Sequence, residues 1–394
     1  MASVSEIVTR PQERVHVAKW LKKNLFSSWF NTLLTVLSLA LMYTVLSQLL
    51  TWIVTVANWR VITVNLRLFM VGTYPLDQTW RLWFCVAIGM TLLGLSWGIW
   101  PRVVSRVAIV YGAALLLLAL APFGVVTRIW LAGCGGLVFV GMFVGRRMPY
   151  VGRWVALAWF GFLPLMLILM RGFGAFLPVV PTRQWGGLQL TLVLAITGIA
   201  FSFPLGVLLA IGRRSPLPAI SLCCTLYIEL IRAVPLITVL FMFQIMLPLF
   251  IPGGESFDRI IRAIVAFTLF TAAYIAENVR GGLQAIPRGQ FEAARALGLN
   301  PFLTMSFIIL PQALRIVIPA NVGQFISLFK DTSLVVIAAL LDLLGIGRSV
   351  LAQSEFLGLQ TEVLLFVAAV YWICTFSMSY ISKRLEQTLG GGNR

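Results

Sequence analysis

Ten apolar runs, near 31–57, 82–100, 103–122, 128–145, 154–172, 187–212, 221–250, 260–280, 313–340 and 361–382, are each long enough for a helix to cross a hydrocarbon core of roughly 30 Å. In that setting every backbone N–H and C=O must find a partner within the protein, so the runs predict helices. With 60% of 394 residues hydrophobic and 11% charged, there is more apolar surface than a soluble globule of this length buries. The expected fold class is an all-α integral membrane protein of about ten transmembrane helices. Eight are possible, because the short hairpin between runs two and three and the glycine-rich LAGCGGLVFVGMFVG could be re-entrant.

The basic residues test this layout, since Lys and Arg collect on the cytoplasmic side of membrane proteins. Threading the chain through ten spans puts nineteen of them on one side and nine on the other, leaving Arg232 and Lys330 within spans. Both termini are therefore expected in the cytoplasm. A formal charge of +17 would suggest nucleic acid in a soluble chain; here the arginines lie between apolar runs, and no nucleic-acid partner is expected. The polar segment 1–30, with the lone histidine His16, is too polar and too long to resemble a cleaved signal and is read as a cytoplasmic tail. The five cysteines sit in apolar stretches without metal-ligand spacing.

The chain divides near residue 181. Residues 31–180 form additional amino-terminal spans, rich in tryptophan, whose GxxxG pairs Gly94/Gly98 and Gly141/Gly145 suit close helix approach. They carry no recognisable chemistry. The segment 181–385 differs, and 386–394 is a carboxy-terminal tail.

Within that second half, LYIELIRAVPLI places Glu229 and Arg232 three residues apart on one helical face, about two turns inside a span. Either they pair with each other and anchor the helix, or Arg232 is left to grip a carboxylate in a central cavity. Pro235 is expected to kink the helix there. In SLFKDTSLVV, Lys330 and Asp331 point about 100° apart on a helix, so they cannot satisfy each other on one face. Asp331, Thr332 and Ser333 offer acceptors to an ammonium group; helix-to-helix hydrogen bonding is the alternative. One buried cation and one buried anion suit a zwitterion. No GxxxxGK(S/T) phosphate loop, HExxH or histidine cluster is present, so the chain is not expected to hydrolyse nucleotide itself.

Between spans eight and nine, GGLQAIPRGQFEAARALGLNPFLTMSFIILP (281–311) interrupts the hydrophobic pattern on the arginine-rich side. Pro287 and Gly289 stop one helix. Phe291, Ala294 and Leu297 then recur at helical spacing up to Gly298, predicting a short amphipathic helix for a partner or for lipid headgroups.

The order Glu292-Ala293-Ala294, three residues, Gly298, nine residues, then Ile308-x-Leu310-Pro311 resembles the EAA loop of bacterial ABC importer permeases. IELIRAVPLITVLFM, TAAYIAENVRGGLQAIPRGQFEAARALG and FKDTSLVVI are similar to segments of the polar amino acid permeases of the histidine, glutamine and arginine class. YPLDQTWR (74–81) looks like the longer general L-amino acid permeases, which carry extra amino-terminal spans. The resemblance implies a five-helix permease core over 181–385 and a coupling helix that docks on a separate ATPase through Glu292, Ala293, Ala294, Arg295 and Gly298. It implies that Arg232 meets the substrate carboxylate and Asp331 the amino group, with Glu229, Thr332, Ser333 and Gln324 nearby. Relatives that bind arginine carry acidic residues where this chain has Gln324 and Val335, which favours neutral, polar or acidic amino acids. The implied partners are a homologous second permease, two identical ATP-binding subunits, a periplasmic or lipid-anchored binding protein and membrane lipid, in the bacterial inner membrane. No cofactor is expected on the chain; ATP is used by the partner. The rival is an autonomous ion-coupled transporter or channel.

Overall fold

A computed structural model describes residues 17–174, 176–250 and 257–390. His16 and most of the expected amino-terminal tail lie outside the described residues, as do 391–394. The chain forms two units, 1–59 and 60–394. The first holds α1 (Val17–Asn24) and α2 (Trp29–Thr51), which continues to Val56 as one apolar helix. Ser28 caps α2 by accepting from the Asn31 N–H at 3.2 Å.

The second unit opens with α3 (Arg60–Val71), too short to cross a membrane and not marked by hydropathy. Then come α4 (Thr79–Ile99), α5 (Pro101–Leu118), α6 (Val125–Arg147) and α7 (Gly152–Arg171). Glycines set the packing of α4 on α6. A Cβ at Gly98 would lie 2.5 Å from the Met142 carbonyl oxygen, and one at Gly94 would collide with that of Val138. The pairing 94 with 138 and 98 with 142 makes the two helices parallel, so the GxxxG spacing has its expected use. The glycine-rich fourth run is one continuous 23-residue helix.

The core follows as α8 (Gly187–Arg213), α9 (Pro218–Ala233), α10 (Leu236–Phe241) leading to α11 (Leu247–Phe250), and α12 (Arg259–Gln284). After it come α13 (Arg288–Ala296), α14 (Pro301–Leu303) leading through a wide turn to α15 (Leu310–Asp331), α16 (Leu343–Leu351) and α17 (Gln360–Gly390). Nine helical segments are long and apolar enough to span among the described residues. A tenth is a pair, Pro218–Ala233 with Leu236–Phe250, bent by 105°. Pro235 causes the break: Val234 before it is extended (φ −108°, ψ 137°), and the proline offers no N–H to continue α9.

Helix α12 is the axis of the core. Its face of Ala263, Ala266, Ala272, Ala273 and Ala276 is fully buried, and small side chains let α8 come close. Gly198 faces Phe267, and a Cβ at Gly206 would lie 2.6 Å from Ile275, so α8 and α12 run parallel. On the other side, Asn278 Nδ2 donates to Asn321 Oδ1 at 3.1 Å, joining α12 to α15. These two amides satisfy each other in the apolar interior, where a lone amide would be expensive.

A buried polar knot closes the opposite end. Asp342, fully buried, caps α16 by accepting from the N–H groups of Gly345 (2.9 Å) and Leu344 (3.2 Å), and also accepts from the Tyr371 hydroxyl at 3.1 Å. Leu343 N–H donates to Thr191 Oγ1 at 3.1 Å, and Gly187 N–H to the Leu341 carbonyl at 2.9 Å. The start of α8, the start of α16 and the middle of α17 are thereby joined. Burial pushes the Asp342 carboxyl above its ordinary value, against the opposing pull of those donors.

The second unit's helices before α8 are tied to one another and to this end as well. Arg81, fully buried, donates to the Pro178 carbonyl at 2.9 Å, and Tyr74 donates to that of Met170 at 2.8 Å. Gly72 and Gly186 touch backbone to backbone: a Cβ at Gly72, whose φ is +61°, would lie 2.6 Å from Gly186 Cα.

Candidate functional site

Charged side chains gather where α8, α9 and α12 meet. Glu277 on α12 is the hub: Arg213, the last residue of α8, reaches it at 3.3 Å, Arg232 on α9 at 3.6 Å, and Arg280, one turn along α12, from its Nε at 2.9 Å. Arg213 also holds Glu229 at 3.0 Å. Three guanidiniums thus share two carboxylates, leaving one positive charge in excess. Ionised groups among apolar helices are expensive alone, and clustering them offsets that penalty.

Glu229 and Arg232 do not pair with each other, although their spacing allowed it. Glu229 turns to Arg213 and Arg232 to Glu277. Nearness in sequence gave way to partners on neighbouring helices. Arg232 is the most loosely held of the three arginines. Its contact with Glu277 is the longest in the cluster, its Nε is buried without a hydrogen-bond partner, and its guanidinium lies 5.8 Å from the centre of the Tyr274 ring. Arg280 lies in the last turns of α12.

Asp331 ends α15, and Thr332 and Ser333 begin a tight 3-10 turn after it. Among the described residues no ion pair joins Asp331 to Arg232. Thr332 is fully buried; its hydroxyl donates to the Phe329 carbonyl at 2.7 Å and lies 3.3 Å from the Tyr371 hydroxyl. The Ser333 hydroxyl donates to the Lys330 carbonyl at 2.8 Å. Both hydroxyl hydrogens are thus committed to the chain's own backbone, and the Thr332 side chain is enclosed. Gln324 and Asp331 are half-buried, whereas Val335 is fully buried in the core and lines no open site. Leu236, Val239 and Leu240, just after the Pro235 break, belong to the same core cluster as Leu328, Phe329 and Val335. The broken helix and the Asp331 segment are therefore neighbours.

The short helix α13 forms where expected. It ends in a Schellman pair, with Leu299 N–H to the Ala294 carbonyl at 3.1 Å and Gly298 N–H to that of Arg295 at 2.9 Å. Gly298 adopts φ +74°, a left-handed conformation that suits glycine, and a Cβ there would touch nothing. Glu292, Ala293, Arg295 and Gly298 are exposed. Ala294 is buried, so it packs on the protein's own bundle rather than facing out with its neighbours. Leu297 also departs from its expected face: it is 79% exposed, and Phe302 is exposed beyond it. Phe291 turns inward against a core cluster built around Ile275, Val279 and Ile309, and Gln312 on α15 donates to Gln290 at 3.2 Å. Helix α13 therefore rides on α12 and α15 with one polar face and an apolar tip uncovered.

Sequence reasoning missed Glu277, Tyr274, Asn278 and Asn321. The signal was present: Glu277 and Arg280 stand one turn apart inside an apolar run.

A family described as "Binding-protein-dependent transport system inner membrane component" matches residues 202–391, which contain the cluster and α13. The whole chain is similar to the inner membrane amino-acid ABC transporter permease protein YhdY of Escherichia coli, 41% identical over 390 residues, covering 95% of this chain and 93% of that one. It is 36% identical over 425 residues to BztC, a glutamate/glutamine/aspartate/asparagine transport system permease protein of Rhodobacter capsulatus, covering 98% and 96%. The shorter glutamate/aspartate import permease protein GltK of Escherichia coli is 36% identical over 216 residues, 53% of this chain but 95% of its own length. Identity of this extent and coverage, on a multi-pass helical chain with the EAA-like helix in place, favours a transporter subunit over an autonomous carrier. The chain belongs to the family of amino-acid ABC transporter permeases, the membrane components of binding-protein-dependent transport systems.

Proposed function

We propose that this chain carries amino acids across the bacterial inner membrane as one permease of an ATP-driven importer, with its arginine-rich end and both termini in the cytoplasm. Its partners in this reading are a second, homologous permease, two ATP-binding subunits and a soluble or lipid-anchored binding protein. The core is 181–385, and 31–180 is an appended set of spans; GltK, which aligns over about half of this chain and nearly all of itself, supports that division. The observation that carries the reading is the state of Arg232: a guanidinium inside the bundle, held by one long ion pair and keeping a buried Nε free.

In this reading Arg232 takes the carboxylate of an amino acid, which can accept two parallel hydrogen bonds from it. Asp331 receives the ammonium group, and Glu229 steers Arg213 rather than touching substrate. Glu277 is the internal anion that occupies Arg232 when substrate is absent. Neutral, polar or acidic amino acids fit better than cationic ones, because Gln324 adds no negative charge and the cluster carries one positive charge in excess.

Coupling follows from chain connectivity. Residues 285–287 alone separate α12, which bears Glu277, from α13. Closure of the ATPase pair on Glu292, Ala293, Arg295 and the exposed Leu297 would push α13, shift the end of α12 and move Glu277 away from or toward Arg232. Alternating access then amounts to a change of partner for Arg232.

The test is ATP-dependent uptake by the assembled complex in proteoliposomes. Uptake lost in Arg232→Ala, with the complex intact, supports the reading; normal uptake ends it. Solute flux through the purified chain alone, without ATP, would instead favour an autonomous transporter.

A further inference from the structure

Between the first turns of α5 and the last turns of α17 lies a cavity of about 590 Å³, lined among others by Arg102, Ser105, Arg106, Tyr380, Arg384 and Thr388. We propose that it binds the phosphodiester headgroup of an anionic phospholipid. This site is separate from the Glu277 cluster and does not depend on how substrate is carried.

Charge is the first reason. Arg106 and Arg384, from helices far apart in sequence, both lie over the ring of Tyr380, their guanidinium carbons 5.9 and 5.4 Å from its centre. Arg384 Nε also donates to the Tyr380 hydroxyl at 2.9 Å, and its Nη1 contacts Gln387 at 3.4 Å. Two like charges held on one aromatic ring call for a counter-ion. Among the described residues, Arg102, Arg106 and Arg384 form no ion pair within the chain. The sequence explains why: Asp77 and Glu229 are consecutive acidic residues, so nothing between them can neutralise Arg102 or Arg106. Glu386 is two positions from Arg384, about 200° around the helix, on another face.

The identity of the anion follows from what surrounds the groove. α5 starts at Pro101, and its 18 residues direct their positive helix end at the site. Ser105 and Thr388 line the same cavity and bear hydroxyls. One turn deeper on the same helix faces, Ile109 and Val110 follow Arg106, and Phe376 precedes Tyr380; all three are exposed. The basic pocket thus opens onto an apolar track along two membrane-crossing helices. A lipid satisfies both parts, headgroup in the pocket and acyl chain on the track, whereas a soluble anion leaves the track bare.

Native mass spectrometry of the full chain in mild detergent, with phosphatidylglycerol or phosphatidylcholine added, tests the assignment. Wild type is expected to retain phosphatidylglycerol preferentially. Arg106→Gln and Arg102→Gln should each weaken retention about fivefold, and the double variant about 25-fold. Arg153→Gln, outside the groove, should leave retention unchanged. Thermal unfolding of each variant separates lost binding from lost folding. Equal retention of both lipids, or unchanged retention in the double variant, overturns the proposal. Stabilisation by glycerol 1-phosphate equal to that by phosphatidylglycerol overturns it in favour of a soluble-anion site.

Discussion

Arg232 lies 3.6 Å from Glu277 on the neighbouring helix, while Glu229, one turn behind it on its own helix, is held 3.0 Å away by Arg213. A pair that looked local is thus divided between two other helices. A shift of α12 relative to α9 would therefore alter the Arg232–Glu277 contact.

Glu277→Gln removes the negative charge that three arginines share and leaves Glu229 as the one carboxylate of the cluster. A loss of about 1–3 kcal/mol in unfolding free energy is expected, read by thermal melting in detergent. Arg232→Ala on the Glu277→Gln background should add little further destabilisation, because the ion pair between them is already gone. Strictly additive losses would show that the 3.6 Å contact carries no coupling.

Gly298→Ala forces a Cβ onto a residue at φ +74°. About 1 kcal/mol of local strain is expected at the end of α13, with open space around the new methyl. Because the change lies at the helix tip, the complex should melt almost as before while ATP-driven uptake falls. Glu292→Lys should go further and abolish co-purification of the ATPase. Intact complex and normal uptake in both variants would remove α13 from coupling.

Packing of α4 on α6 makes a sharper contrast. Gly98→Ala puts a methyl 2.5 Å from the Met142 carbonyl oxygen and should cost about 1–3 kcal/mol. At Gly133, on α6, an added Cβ meets nothing, so Gly133→Ala should be neutral or stabilise by about 0.5–1 kcal/mol. Melting temperatures that fall in the first and hold in the second are the expected outcome.

Much of this was legible beforehand because hydropathy and positive charge are additive properties of a segment. The ten runs, the GxxxG contact and the glycine stop at Gly298 all depend on residues close together in the chain. Pair choice among charges was not legible: Glu229, Glu277 and their arginines come from three helices, and only their packing decides which meet. α3 and α16 escaped notice because helices of 12 and 9 residues are shorter than a span. Asp342 escaped because its cap and its Tyr371 contact join segments that sequence spacing does not relate.

Asp342 supplies a pH signature. Burial raises its folded-state pKa above the ordinary 3.8, so its contribution to stability is fully present below that value and is lost as pH rises through the raised one. Asp342→Asn keeps an acceptor for the α16 cap but does not titrate. The stability advantage of wild type over this variant should therefore shrink as pH climbs from about 4 toward neutrality. Asp342→Ala, which leaves the cap and the Tyr371 hydroxyl without their acceptor, should cost about 2–4 kcal/mol below pH ~4, and less as pH rises and the wild-type contribution declines. An advantage of wild type over Asp342→Asn that grows with pH would reverse the sign of this account.

The central claim is that Arg232 exchanges Glu277 for substrate, and a structure of the assembled complex with a bound amino acid tests it most directly. The account expects the amino acid carboxylate within hydrogen-bonding distance of Arg232 and the Arg232–Glu277 separation lengthened beyond 3.6 Å. A substrate carboxylate bound elsewhere in this chain, with the Arg232–Glu277 pair intact, would contradict it.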